Sequence, residues 1–323
     1  MFHLSFNGKA DRLVGMPTRH RLLAALVAAC WGLNFLAIDA SLQHFPPFFL
    51  VALRFALIAL PTVLLVPFPR VPVRWLVGYG LGFGTFQFLF LYWGMAAGMP
   101  AGLSSLVLQA SAPFTVLLAG VLLGHRLTPR AGVGVLVAVA GLAVVGWQRL
   151  EGPAAFWPFV LVLAGALSWA VGNLCTAQAR APEPLHLTLW MSVVPPLPML
   201  TLSLVVEGPG RIADSLTTWD SPDTVLAVLG LAYTILVGTV LGSGIWTWLM
   251  ARHPAGVVAP FSMLVPVVGM SAAWVALGET VSRGEAAGAA LVVSGVLVAT
   301  RPPRRAPAAV SAPDPRPQAA RAG

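Results

Sequence analysis

The chain has 323 residues, of which 19 are Lys or Arg and 11 are Asp or Glu. At 9% charged and 58% hydrophobic, against about 25% charged in soluble domains, it could not cover a soluble globule, and two cysteines rule out a disulfide scaffold. Lys9 is the only lysine, and Gly8-Lys9-Ala10 lacks the Ser or Thr that a P-loop ATPase needs.

Residues 1–21 read as a cytoplasmic segment in which Met16 offers a second start. Charge-free runs then set helices at 22–38, 48–66, 75–95, 102–124, 131–147, 157–178, 186–206, 225–250, 256–277 and 285–300. Trp75–Gly124 holds no charge over 50 residues, about 75 Å of helix. A bilayer core is about 30 Å thick, so this run is two spans, divided at Gly98-Met99-Pro100-Ala101-Gly102. The runs are continuous rather than alternating, which argues against a β-barrel. The first is no signal peptide, because nine more spans follow it. The Pro-, Ala- and Arg-rich residues 301–323 read as a disordered tail. The expected fold is an all-α polytopic membrane protein with ten transmembrane helices. Of the 19 basic residues, 15 fall on the side of the two termini and Arg149, Arg211 and Arg283 on the other, which puts both termini in the cytoplasm. The positive excess is thus a topology signal, with no folded basic domain to bind nucleic acid.

The halves match at an offset of 154: Tyr79 with Tyr233, Gly84 with Gly238, Pro100-Ala101-Gly102 with Pro254-Ala255-Gly256, Leu123-Gly124 with Leu277-Gly278, Gly134 with Gly288 and Gly141 with Gly295. Trp31 and Asn34 match Trp169 and Asn173 at a shorter offset. Two repeats follow, over 22–147 and 157–300. Five spans each is an odd number, so the second enters the membrane from the opposite side. Inverted repeats of this kind are typical of secondary transporters, with the site at the repeat interface near mid-membrane.

Polar side chains within spans face a cavity or another helix. Asn34, Asn173, Gln87 and Gln109 offer donors and acceptors together, which suits a zwitterion; the alternative is glue between helices. Trp31 and Trp169 read as a stacking wall or as packing. Tyr92, Trp246 and Ser262 lie on helices sorted to the pathway, whereas helices five and ten are apolar scaffold or the surface for a second copy. Arg54 is the one charge inside a span, and Asp39 ends the preceding helix. A structural Asp39–Arg54 ion pair is the leading expectation; Arg54 gripping a substrate carboxylate, or snorkelling outward, are the others. Pro113 and Pro266 in corresponding helices are candidate hinges. Cys30 and Cys175 read as small apolar packers. No acid is mid-membrane, so transport is either uncoupled or coupled through a rim group such as Asp39.

Trp31-Gly32-Leu33-Asn34, Leu53-Arg54-Phe55, Gly98-Met99-Pro100-Ala101-Gly102-Leu103, Ser105-Leu106-Val107-Leu108-Gln109-Ala110 and Leu264-Val265-Pro266-Val267-Val268-Gly269 resemble the EamA family of the drug/metabolite transporter superfamily over residues 20 to 300. The resemblance implies ten helices, five plus five, in a bacterial inner membrane, no enzymatic activity and no cofactor, and export of small amino-acid metabolites such as O-acetylserine and cysteine. Members often carry Gly-Glu after the fourth span of each half; Glu279 keeps this and His125 departs from it, which puts in doubt a role needing both acids. The rival readings are a multidrug cation exporter and an uptake permease of the same fold. The first expects an acid within helix one, and none is there.

Overall fold

The computed structural model describes residues 16–124, 128–148, 150, 153–219, 222–253 and 255–300. Residues 1–15 of the expected N-terminal segment, with Lys9, the departure at His125, the repeat match at Pro254 and the tail 301–323 lie outside the described residues, while Thr18–Arg21 of that segment already belong to the first helix. All regular structure among them is helical: α1 (Thr18–Leu42), α2 (Pro47–Leu65), α3 (73–96), α4 (Ala101–Leu123), α5 (Pro129–Gln148), α6 (Pro153–Ala179), α7 (Pro184–Val206), α8 (Pro222–Arg252), α9 (255–277) and α10 (Arg283–Thr300), with a short helix Pro209–Thr217 before α8. Among the described residues, eight of these helices are long and apolar enough to cross a membrane. The other two are α3, diluted by glycines, Gln87 and Tyr92, and α10, which opens on Arg283 and Glu285.

The two halves share their irregularities. α3 widens to a π-helix over Gly80–Gln87 and α8 does so over Thr234–Leu241, 154 residues later. In each, a threonine hydroxyl donates to the carbonyl five residues back, Thr85 to Gly80 at 3.1 Å and Thr239 to Thr234 at 2.9 Å. α4 carries a 3₁₀ turn at Leu108–Ala110, just before Pro113, and α9 one at Ala259–Met263, just before Pro266. A proline has no N–H for the carbonyl four residues back, so the helix tightens there. Both helices end on a left-handed glycine, Gly124 at φ +66° and Gly278 at φ +68°, where a side chain would be strained.

The first helix of each half packs on the other half: α1 on α8 and α9, and α6 on α3 and α4. α5 and α10 run antiparallel along a glycine seam. A Cβ at Gly134 would run into the Ala299 nitrogen and one at Gly295 into the Ala138 nitrogen, and one at Gly141 would lie 2.6 Å from the Gly288 carbonyl. Small residues let the backbones approach this closely, as in membrane helix pairs. The core holds Phe55, Tyr92, Leu106 and Met191, and a satellite cluster of Met16, Ala24, Leu249 and Val258 joins the start of α1 to α8 and α9. Outward, Leu64, Leu65, Val121, Val205 and Val275 are exposed. An apolar exterior on such helices marks a multi-pass membrane protein with lipid around it.

The seam predicts a sharp contrast. Gly141→Ala drives a methyl into backbone and should lower the thermal midpoint in detergent by several degrees, overpacking costing about 1–3 kcal/mol. Gly132→Ala on the same helix meets open space and should leave the midpoint unchanged or raise it slightly. Equal midpoints for the two variants would contradict this packing.

Candidate functional site

The polar interior begins where α1 crosses α8. The indole N–H of Trp31 donates to the Gly238 carbonyl at 2.8 Å, and its ring lies 5.0 Å from that of Trp246. The close approach depends on two glycines. A Cβ at Gly242 would sit 2.6 Å from Trp31 Nε1, and one at Gly238 would sit 2.7 Å from Asn34 Oδ1. Asn34 is buried against this wall, and its Oδ1 has no hydrogen-bond partner among the described residues.

Next to Gly238 stands Thr239, and here Arg54 arrives from α2. It is 4% exposed. Its Nη1 donates to the Tyr92 hydroxyl and its Nη2 to the Thr239 hydroxyl, both at 2.9 Å. The guanidinium lies 4.1 Å from the centre of the Phe88 ring and 5.2 Å from that of Phe55. Nε has no partner among the described residues. The expected ion pair with Asp39 is therefore corrected: Arg54 faces two hydroxyls and two rings, and Asp39 opens instead on a surface cavity. The hairpin of α1 and α2 brings helix ends together, but a guanidinium nearly two turns along α2 turns toward α3 and α8. Gln87, next to Phe88 on α3, is 2% exposed, and its Oε1 has no partner among the described residues.

The remaining predicted residues lie on α4, α6 and α9, and most are already paired. Asn173 Nδ2 donates to Thr115 Oγ1 at 3.1 Å. Trp169 packs 5.7 Å from Phe83. Gln109 Nε2 donates to the Ser262 carbonyl at 3.3 Å, the carbonyl that Pro266, four residues on, leaves without its helical N–H. The Ser262 hydroxyl bonds within its own turn, to Ala259. The structure thus brings Asn34, Trp31, Trp246, Tyr92 and Arg54 together, while Gln109, Ser262, Asn173 and Trp169 join helices elsewhere.

Both ends of this region are built from polar contacts. At one end a cavity of about 560 Å³ is lined by Asp39, His44, Met95, Arg211 and Asp214. His44 Nε2 donates to the Ser215 carbonyl at 2.7 Å, tying the short helix over the cavity. Beside it, Glu279 accepts the N–H groups of Ala101 and Gly102 at 2.7 and 3.0 Å and caps α4. Glu207 does the same for α2. It is buried, accepts from Phe48 and Phe49 at 2.8 and 2.9 Å, and takes the Ser203 hydroxyl. A carboxylate at a helix N-terminus satisfies orphan donors and meets the positive end of the dipole. At the opposite end, His20 Nδ1 and His253 Nε2 lie 2.6 Å apart, with the Trp248 ring beside His20 and Arg252 over Trp248. Sequence reasoning noted Thr239 as a polar group within its helix but not its bond to Arg54, and it missed the cap at Glu207 and this histidine pair; the signal for the pair was that each histidine sits near the end of an apolar run.

The EamA-like transporter family matches residues 19–147 and again 156–301. A probable amino-acid metabolite efflux pump of Salmonella typhimurium is 42% identical over 288 residues, 88% of this chain and 95% of that protein. A protein of the same description in Escherichia coli is 38% identical over the same shares. A solved crystal structure, 20% identical, superposes with a TM-score of 0.58 over 88% of this chain and 98% of its own, which shows a shared fold.

The cap at Glu207 carries a stability prediction. Glu207→Ala strands two buried N–H groups and a hydroxyl, and should destabilise by about 1–3 kcal/mol, seen as a lower thermal midpoint in detergent. Glu183→Ala, whose side chain is 60% exposed, should leave it unmoved. Coincident midpoints would contradict the cap.

Proposed function

The chain belongs to the EamA-like transporter family, and from this premise we propose that it exports a small amino-acid metabolite across a bacterial inner membrane by alternating access. The efflux-pump names of the Salmonella and Escherichia relatives and the resemblance to exporters of O-acetylserine and cysteine support that substrate type. We read the ten helices as ten spans in two inverted five-helix repeats. The matched π segments, 3₁₀ turns and glycine caps support this reading, and so does the exchange of α1 and α6 between halves. Two packings related by a pseudo-two-fold axis are close in energy, so one half can rock on the other.

The single observation that carries the reading is the pair of buried amide oxygens without a partner among the described residues. Asn34 Oδ1 and Gln87 Oε1 lie on α1 and α3, helices that pack across the halves. A buried acceptor left without a donor costs about 1–3 kcal/mol. A substrate ammonium relieves that cost during passage. The described basic residues Arg19, Arg21, Arg70, Arg74, Arg130, Arg180 and Arg252 fall at the end with His20, which we assign to the cytoplasm. The cavity at Asp39 then faces the periplasm, and its rim acids are where any proton coupling would act.

The test is efflux from proteoliposomes loaded with radiolabelled O-acetylserine or cysteine, beside a cationic dye. Wild type should release the metabolites and retain the dye. Asn34→Ala and Gln87→Ala should slow release by about tenfold, equivalent to about 1.4 kcal/mol, and Gln109→Ala less, since its amide is paired. Dye release without metabolite release would overturn the reading.

A further inference from the structure

We propose that Arg54 is the carboxylate anchor of the transport pathway, so that the substrates are small amino acids with a free carboxyl group. The inference rests on the transport reading above and adds to it a chemical requirement.

A guanidinium has five N–H donors. Among the described residues, Arg54 uses one at Tyr92 and one at Thr239, and Nε is unused. Neither partner is charged. The described acids lie at or near helix ends: Asp39 on the cavity, Glu207 and Glu279 on helix N-termini, Glu285 in the first turn of α10. The Phe88 and Phe55 rings lend a partial negative face to the cation, but rings and hydroxyls do not cancel a unit charge. A residue serving only to join helices has no need of this arrangement. The amide pair Gln109–Ser262 joins α4 to α9 without charge. A buried, positioned and unneutralised guanidinium matches instead the needs of a transient bidentate carboxylate, the anion that its planar fork fits.

Its position agrees. Tyr92 lies four residues, about 6 Å along a helix, beneath Ala96, which lines the Asp39 cavity. Asn34 Oδ1, the unpartnered acceptor, faces Gly238, the neighbour of Thr239. A carboxylate at Arg54 and an ammonium at Asn34 would thus meet adjacent residues of α8. The site is also one-sided. α7 corresponds to α2 in the second half, and Pro184–Val206 has no Lys or Arg. The same charge repels cations that lack a carboxylate, which separates this pathway from a cationic-drug route.

The experiment uses the full chain in proteoliposomes and measures entry of radiolabelled O-acetyl-L-serine by counterflow, with unlabelled O-acetyl-L-serine or its methyl ester as competitor. The ester keeps the ammonium and loses the carboxylate. For wild type the free acid should compete at about tenfold lower concentration than the ester or better, the loss expected for a charge-assisted bidentate contact. Arg54→Gln should bring the two within about twofold. Tyr92→Phe keeps the charge and removes one of its holders; it should raise the half-saturation for the acid several-fold and leave competition by the ester unchanged. Equal competition by acid and ester in wild type would overturn the proposal without any variant, while leaving transport itself intact. So would an Arg54→Gln protein that still prefers the acid as wild type does. If wild type admits no label at all, the transport reading falls and this inference with it.

Discussion

A polar group in hydrocarbon has no water to fall back on, so it must find its partner inside the protein. In this chain most of the interior hydrogen bonds between different helices join the two halves. Trp31 on α1 bonds the Gly238 carbonyl on α8, Arg54 on α2 bonds Thr239 on α8, Gln109 on α4 bonds the Ser262 carbonyl on α9, and Asn173 on α6 bonds Thr115 on α4. Glu207 and Glu279 reach from the second half to cap α2 and α4 of the first. The halves are therefore interlocked by groups that neither can satisfy alone. Movement of one half on the other must exchange these partners, and a solute that brings its own donors and acceptors is one way to do so.

Within that lock the two halves are alike in backbone and unlike in charge. The π segments, the 3₁₀ turns before Pro113 and Pro266, and the left-handed glycines repeat at or near one offset. Arg54 does not repeat. Asn34 and Asn173, which match in sequence, differ in state: Asn173 is bonded to Thr115, while Asn34 keeps an unpartnered oxygen. On the proposed alternating-access reading, the shared backbone features would give two packings of similar energy, and the departures from symmetry would place recognition on α1, α2, α3 and α8.

The helices were legible because charge-free runs and proline or glycine breaks leave few other ways to place a chain in a bilayer. Each stretch read as helix is helical, most with ends longer by a few residues and two, at Val66 and Gly124, one residue shorter than read. The site was legible as a set of residue types and less so as pairings. Gln109 and Ser262 were both noted for their polar groups, but that Pro266 frees the Ser262 carbonyl for the Gln109 amide depends on the rotation of α4 against α9. The Asp39–Arg54 pairing failed for a related reason. A hairpin constrains helix ends, while the facing of a side chain further along is set by neighbours from elsewhere in the chain, here Tyr92, Phe88 and Thr239. Glu207 carries only a faint mark, an acid closing an apolar run four residues after Ser203, and its role depends on where α2 begins in space. The π segments have no compositional signature apart from the threonines at 85 and 239.

The central proposal is that a solute passes between the two halves, and that the contact of α1 with the end of α8 shuts the end assigned to the cytoplasm. His20 and His253 meet there at 2.6 Å. The direct measurement replaces both with cysteine in a background of Cys30→Ala and Cys175→Ala, joins them with a short reducible thiol cross-linker, and follows efflux of O-acetylserine from proteoliposomes. The account predicts that the linked protein stops transporting and recovers on reduction. Undiminished efflux from fully linked protein would contradict it.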